Sequence, residues 1–322
     1  MSGPAAPNHG VYFNMLRITN PARRPSQRIA PAAAALCGVL LAGPAIAQDA
    51  SALSPFDGVQ AELSVTHDNN VSRGRSASDT LSDQFYSLQF NKDWVVPVTA
   101  QSRLTFTGTT GGEAFVRYSG LDRVFGEGRA SIDYRRSGEF DAVTLGSFVR
   151  VGGDYYKSPL RSGYRYAVGA TLQRALTDRI HVFGLIAYED RHAESAVFTG
   201  RGSSVRLNFD YALSGRGTLY AVADYRRGDV VSSGRRSLEN TDTAKVLVPD
   251  AAFPGRDFFT YRFDADTVVT TLGYNHGFGP KASIDASWRR AVSKPRLLPS
   301  FATTVPSRYV ADQLSLNFVL RF

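Results

Sequence analysis

Apolar and polar residues alternate one by one along most of the chain, and the clearest example is its last segment. Leu314, Leu316, Phe318, Leu320 and Phe322 occupy every second position, with Ser315, Asn317 and Arg321 among the side chains between them. A period of two residues predicts a β-strand with two unlike faces, since successive side chains point to opposite sides. The sequence therefore predicts a strand that runs to the chain's aromatic last residue.

The same alternation recurs throughout the chain and predicts twelve strands, the even number expected when a sheet closes on itself. Their ranges are 57–67, 83–93, 101–115, 125–136, 140–151, 163–175, 179–189, 203–213, 217–227, 260–276, 281–291 and 311–322. Tight turns rich in Gly, Asp, Ser or Pro are predicted at Arg136–Gly138, Leu176–Asp178, Ser214–Gly217 and Gly277–Pro280. Longer connections alternate with them at 68–82, 152–162, 190–202, 228–259 and 292–310.

Two all-β folds show such alternation: a soluble sandwich and a closed antiparallel barrel in a membrane. The polar face carries Arg and Asp at strand centres, which a packed sandwich core does not tolerate. Aromatic residues cluster near strand ends, as in the interfacial girdles of membrane barrels: Tyr134, Tyr164, Tyr166, Tyr188, Tyr211, Tyr225, Tyr274 and Trp288. The prediction is a closed antiparallel transmembrane β-barrel of about twelve strands.

Residues 1–47 have the features of a cleaved export signal. Arg17, Arg23, Arg24 and Arg28 precede an apolar stretch at 29–41, and a small-x-small pattern ends at Ala47. Met15 is an alternative start, which would make residues 1–14 an extension. The barrel is assigned to 48–322. Removal of the four arginines lowers the net charge from +8 to +4 and also removes the chain's one cysteine. The basic balance therefore gives no argument for nucleic-acid binding.

The terminal strand resembles the C-terminal targeting strand of Gram-negative outer-membrane β-barrels. The resemblance implies that Leu314, Leu316, Phe318, Leu320 and Phe322 form an assembly signal that the barrel-assembly machinery reads, and that this strand closes the sheet against the first one. It also implies the cell outer membrane as location, with outer-membrane lipid and lipopolysaccharide as partners. The segment from His67 to Val71 resembles the opening segment of several such barrels, some of which help to export lipoproteins or polysaccharide.

If the apolar face meets lipid, the charged face lines the lumen. The predicted lumen-lining residues are Glu62, Arg103, Glu127, Arg129, Asp133, Arg135, Arg165, Arg206, Asp210, Asp224, Arg226, Asp285, Arg289 and Arg321. Charges in a narrow space must be paired or wetted. Two interpretations stay open: an ion-pair network that fills the barrel, or the wall of a water-filled path that biases solute selectivity.

The longest predicted connection, 228–259, contains the aromatic segment 252–259, which could plug or constrict the lumen. The alternative is a mobile surface loop. The integrin-type tripeptide at 227–229 is interpreted as a chance match.

Candidate catalytic groups are few. His67 and His192 stand beside acidic residues near strand ends, but neither matches a known hydrolase motif, and the chain has no metal-ligand or phosphate-binding motif. We expect no cofactor. The leading functional hypothesis is a narrow pore for small polar or anionic solutes. Two alternatives remain: an export or surface-assembly barrel with a periplasmic or secreted partner, and an outer-membrane hydrolase.

Overall fold

The alternating segments form a single antiparallel sheet. The computed structural model describes residues 58–255, 257–297 and 308–322. The predicted leader at 1–47, with its alternative start, lies outside the described residues. The strands are β1 (Val59–Asp68), β2 (Asp83–Pro97), β3 (Ser102–Phe115), β4 (Arg123–Arg135), β5 (Thr144–Tyr156), β6 (Gly163–Ala175), β7 (Ile180–Ala193), β8 (Gly200–Ala212), β9 (Gly217–Arg235), β10 (Val246–Pro249), β11 (Phe258–Gly277), β12 (Ala282–Pro295) and β13 (Tyr309–Arg321).

Twelve of these strands close into a barrel, which confirms the predicted fold class. Each pairs with its neighbour in chain order, except that β9 pairs directly with β11. The last strand, β13, pairs with β1, from Arg321 opposite Gln60 to Gln313 opposite Asp68. Closure removes both sheet edges, so that backbone donors and acceptors along the wall have partners.

The outer surface of the barrel is an apolar belt. Ile186, Leu207 and Leu314 have 56%, 58% and 58% of their surface exposed, because side chains at these alternate positions point away from the lumen. Large apolar side chains are exposed on eleven of the twelve barrel strands, and such exposure is costly in water and favourable in hydrocarbon. The sandwich alternative is therefore wrong, since it would press these faces together.

The connections differ in length at the two ends of the barrel. One end, called the turn end here, carries 98–101, 136–143, 176–179, 213–216 and 278–281. The other, called the loop end, carries 69–82, 116–122, 157–162, 194–199, 236–257 and 296–308, of which 256 and 298–307 lie outside the described residues.

Several predicted boundaries at these ends are wrong, and the turn after β4 and the connection after β7 are two examples. The turn after β4 runs over 136–143, because sheet pairing ends where Arg135 meets Thr144 and the Ala142 amide then bonds the Glu139 carbonyl. The connection predicted at 190–202 shrinks to 194–199, because the charged residues at the end of β7 continue to pair with β6 and β8.

The predicted 228–259 connection is largely folded. β9 and β11 continue past the end of β12 as a projecting ribbon, and Phe258 still pairs with Arg235. Between them lie a short helix, α1 (Leu238–Thr243), whose first turn is capped by Ser237, and β10, which adds to the free side of β11. Of the two alternatives for this connection, the packed one is observed.

The described helices are short, and none has the length and apolar character needed to cross a membrane.

Candidate functional site

All fourteen predicted lumen residues lie on barrel strands, on the face opposite the apolar belt. The register supports this placement: Asp133 stands opposite Arg103, and Asp224 opposite Arg206, each joined by an ion pair on that face. Their role in lining a solute path remains a proposal.

A network of arginines and carboxylates covers the wall from β3 to β7. Asp154 on β5, only 4% exposed, accepts hydrogen bonds from Arg123 at 3.1 Å and Arg165 at 2.6 Å and also contacts Arg191 at 3.3 Å. Arg123 also donates two hydrogen bonds to Glu113, from Nη2 at 2.6 Å and from Nε at 2.7 Å. A carboxylate this deeply buried needs several charged donors to stay ionised.

The network continues across the same wall. Arg165 reaches Glu127 at 3.2 Å, and Arg150 lies 3.8 Å from Glu127 and 2.5 Å from Glu189. These contacts join strands that are adjacent or separated by one strand, so they run along the wall rather than across the lumen. Arg129 lies 4.3 Å from the centre of the Phe148 ring, where its charge faces the aromatic π-electrons.

Sequence reasoning missed most of this network: Glu113, Arg123, Arg150, Asp154, Glu189 and Arg191. These residues lie in strand segments near the loop end, where the predicted strands were too short or the alternation passes through glycines. Carried to the observed strand ends, the same two-residue period assigns all six to the lumen face.

A separate group of charges lies on β8, β9 and β12. Asp224 on β9 accepts hydrogen bonds from Arg206 at 2.9 Å and from Arg226 at 2.7 Å. On β12, Arg289 donates to the side-chain oxygen of Gln313 at 2.9 Å. We call Arg206, Arg226 and Arg289, with Asp224, the arginine patch.

Counted over the whole lumen face, positive and negative side chains are nearly equal in number. The arginines are 103, 123, 129, 135, 150, 165, 191, 206, 226, 289 and 321, and the carboxylates are 62, 68, 83, 93, 113, 127, 133, 154, 189, 210, 224 and 285. The predicted preference for anions therefore cannot follow from the number of arginines. It requires a local surplus of positive charge.

The connection between β9 and β11 covers the loop end of the barrel. Ala252 and Phe253, both about fully buried, pack with Leu81 and Leu121 of the β1–β2 and β3–β4 connections. Six strands separate the β3–β4 connection from the β9–β11 connection in either direction round the ring. The segment 250–258, called the cap, therefore crosses the mouth from one side to the other.

An ion pair fastens the cap. Asp250 is 5% exposed and bonds Arg161 of the β5–β6 connection at 2.5 Å, the Ala252 amide at 2.9 Å and the Thr260 hydroxyl. Burial alone would raise the pKa of Asp250, but the Arg161 charge and these donors outweigh it and hold that pKa below its ordinary value. Asp250 is thus a carboxylate at neutral pH.

At the turn end the wall opens into a cavity of about 680 Å³. Arg103, Asp133 and Arg135 line it together with apolar residues such as Val95 and Phe140. This vestibule lies at the turn end, while the cap covers the loop end.

The two candidate catalytic histidines lie on the outer surface. His67 is exposed on β1, and His192, predicted at the mouth, instead belongs to β7, where its ring stacks on Tyr164 at 5.1 Å and its Nε2 lies 3.5 Å from Asp190. Within the described residues neither imidazole bonds a serine hydroxyl, and no group of acidic, His or Cys side chains could hold a metal ion. The geometry gives no support to the hydrolase alternative.

The integrin-type tripeptide lies within β9. Its Asp229 is bonded to Lys245 at 2.9 Å, so the segment is a paired strand and not a presented loop.

No protein-family model and no curated protein matches the chain. Among solved structures, an outer-membrane channel from Pseudomonas putida F1 superposes with a TM-score of 0.50 at 13% identity, over 86% of this chain and 100% of that chain. The KdgM porin in complex with disordered oligogalacturonate gives a TM-score of 0.41 at 8% identity, over 82% and 99%. The translocator domain of the autotransporter NalP from Neisseria meningitidis gives 0.37 at 12%, over 90% and 96%. Likeness at these identities concerns the fold. The chain has the fold of an outer-membrane β-barrel, and its location is the cell outer membrane.

Proposed function

We propose that the protein is a narrow pore for small polar solutes, with a preference for anions, and that the cap closes it in the conformation described above. The observation that carries the proposal is the continuous charged face inside a closed ring of twelve strands. Charged side chains along such a wall attract water, and a wetted wall is what a polar solute needs to cross the hydrocarbon layer.

The ion-pair network supports a pore over a solid plug. Its contacts run along the wall between strands that are adjacent or separated by one strand, and in the arginine patch the side chains of Arg206 and Arg226 are 41% and 46% exposed. The likeness to a solved outer-membrane channel, at a TM-score of 0.50, agrees with the proposal at the level of the fold.

The test is conductance in planar lipid bilayers, with the intact protein and a variant without the cap. Because Arg235 pairs with Phe258, replacing residues 236–257 by Asn-Gly closes the β9–β11 ribbon as a two-residue hairpin. We expect discrete conductance steps from both proteins, with longer open times for the variant.

Folding of both proteins is checked by heat-modifiable migration on gels. If both are folded barrels and both are electrically silent, the pore proposal is wrong.

A further inference from the structure

The arginine patch carries more positive than negative charge. On the β3–β7 wall Arg123, Arg150, Arg165 and Arg191 each contact at least one carboxylate, and the carboxylates that they share equal them in number: Glu113, Glu127, Asp154 and Glu189. These eight residues form a balanced network, beside which Arg129 lies against the Phe148 ring.

The arginine patch is not balanced in this way. Arg206 and Arg226 share one oxygen of a single carboxylate, Asp224, and Arg289 bonds only the neutral Gln313 within the described residues. Three guanidinium groups thus face one carboxylate, which leaves two positive charges uncompensated.

Neighbouring carboxylates do not cancel this surplus. Asp68 is held by both branches of the Arg73 fork, at 2.7 and 3.1 Å. Asp210 and Asp285 lie four residues further toward the turn end than Arg206 and Arg289 on their own strands.

The patch is also accessible. The side chains of Arg206 and Arg226 are 41% and 46% exposed, whereas those of Arg165 and Arg123 in the balanced network are 19% and 22% exposed. Guanidinium groups that keep donors turned toward the lumen can bond a solute, and their planar fork matches two oxygens of one oxyanion.

We propose that the arginine patch is the anion-recognition site of the lumen and binds the carboxylate, sulfate or phosphate group of a passing solute. The inference rests on the proposed pore and names its specificity site. Asp224 competes with the solute for Arg206 and Arg226, which keeps binding weak enough for release, as conduction requires.

The experiment measures binding of inorganic sulfate to the full-length protein in detergent by isothermal titration calorimetry. We expect Arg226→Gln and Arg289→Gln each to weaken sulfate binding about tenfold or more, which corresponds to the loss of one charge-assisted hydrogen bond. Asp224→Asn should tighten it several-fold, because it removes the competing carboxylate. Arg150→Gln in the balanced network is the matched control and should leave it unchanged.

The arginine variants should lose sulfate affinity and Asp224→Asn should gain it. A folding defect does not explain a gain, since a damaged barrel does not bind sulfate more tightly. The inference is overturned if the intact protein binds no sulfate, if Asp224→Asn weakens binding, or if Arg150→Gln weakens it as much as Arg226→Gln. The pore proposal is judged separately by conductance. A barrel that conducts, but whose sulfate affinity is unchanged by substitutions in the arginine patch, contradicts only the binding site. A silent barrel that binds sulfate through the patch contradicts only the pore.

Discussion

Individual charged residues show how an ionic interior is tolerated. Asp154 and Asp250 are almost fully buried, and each is surrounded by arginine and hydrogen-bond donors. Removal of one partner leaves an unpaired buried charge, which costs far more than the pair contributes. The two residues therefore mark places where a single substitution has a large effect.

The Arg161–Asp250 ion pair is expected to hold the cap closed. Arg161→Gln leaves Asp250 buried without its cation, at a cost of about 3 kcal/mol to the closed cap. Such a change raises the open population about a hundredfold, so the open probability in planar bilayers should rise steeply. The control is Arg174→Gln, which breaks the exposed pair with Asp141 at the turn end and should change the open probability little. Equal effects of the two variants would disprove the role of the ion pair.

The same carboxylate predicts a response to acid. The folded-state pKa of Asp250 is lowered, so its contribution to closure is complete above the unfolded-state pKa of about 4. It is lost as the pH falls through the folded-state value. We expect the intact pore to open as the pH is lowered below about 4, with no such step in Asp250→Asn. An identical acid response in both proteins would assign the opening to other groups.

At the residue scale the sequence predicts lumen residues well where strands are regular. Arg206 and Asp224 fall near the middle of their strands, where the period of two cannot be mistaken. Asp154, by contrast, follows the Gly152–Gly153 pair, where two missing side chains hide the alternation. The contacts that build the cap were beyond prediction, because they join connections far apart in the chain.

Among the elements, β9 and β11 depart most from expectation. The run from Arg226 to Asp229 is polar, as in a loop, yet the strands continue because the ribbon projects beyond the barrel, where side chains on both faces need not be apolar. Gly228, with a φ of +151°, sits where β8 approaches so closely that a Cβ would lie 2.3 Å from the Arg201 carbonyl oxygen. Glycine in a polar run usually indicates a loop, but Gly228 permits the close pairing of β9 with β8.

The packing of the cap against the β3–β4 connection depends on another glycine, Gly120. A Cβ on Gly120 would lie 2.5 Å from the Ala252 Cα, so Gly120→Val should push the cap off the β3–β4 connection. We expect faster tryptic cleavage at Lys245 and Arg236 within the β9–β11 connection, and longer open times. Gly138→Val is the control, since no atom lies within 4 Å of the corresponding Cβ. Unchanged cleavage in Gly120→Val would show that the cap does not pack against Gly120.

At the scale of the whole molecule, the sequence predicts that the sheet closes and which side chains share a face. It does not predict whether the lumen is open or covered. Alternation predicts how many strands there are and which side chains share a face, and an even strand count with β13 beside β1 follows from ring geometry. Whether the ring is open depends on where a long connection folds, which is decided by a few apolar contacts such as Phe253 on Leu121. No local pattern in the sequence records them.

If the barrel's outer face meets lipid, substitution by arginine should cost much more stability at Leu316 of β13 than at its neighbour Asn317. Leu316 lies in the apolar belt, 50% exposed and opposite Val65, whereas Asn317 faces the lumen, 3.3 Å from Asp285. Leu316→Arg places a charge in hydrocarbon near the middle of the strand and should lower the free energy of unfolding by about 2–4 kcal/mol. Asn317→Arg puts the same side chain in the wetted lumen beside a carboxylate and should cost less than about 1 kcal/mol. Urea unfolding of both variants in lipid vesicles measures the difference. If Asn317→Arg lowered the free energy of unfolding more than Leu316→Arg, the assignment of the two faces would be wrong. The pore proposal, which needs the charged face inside, would then be wrong as well.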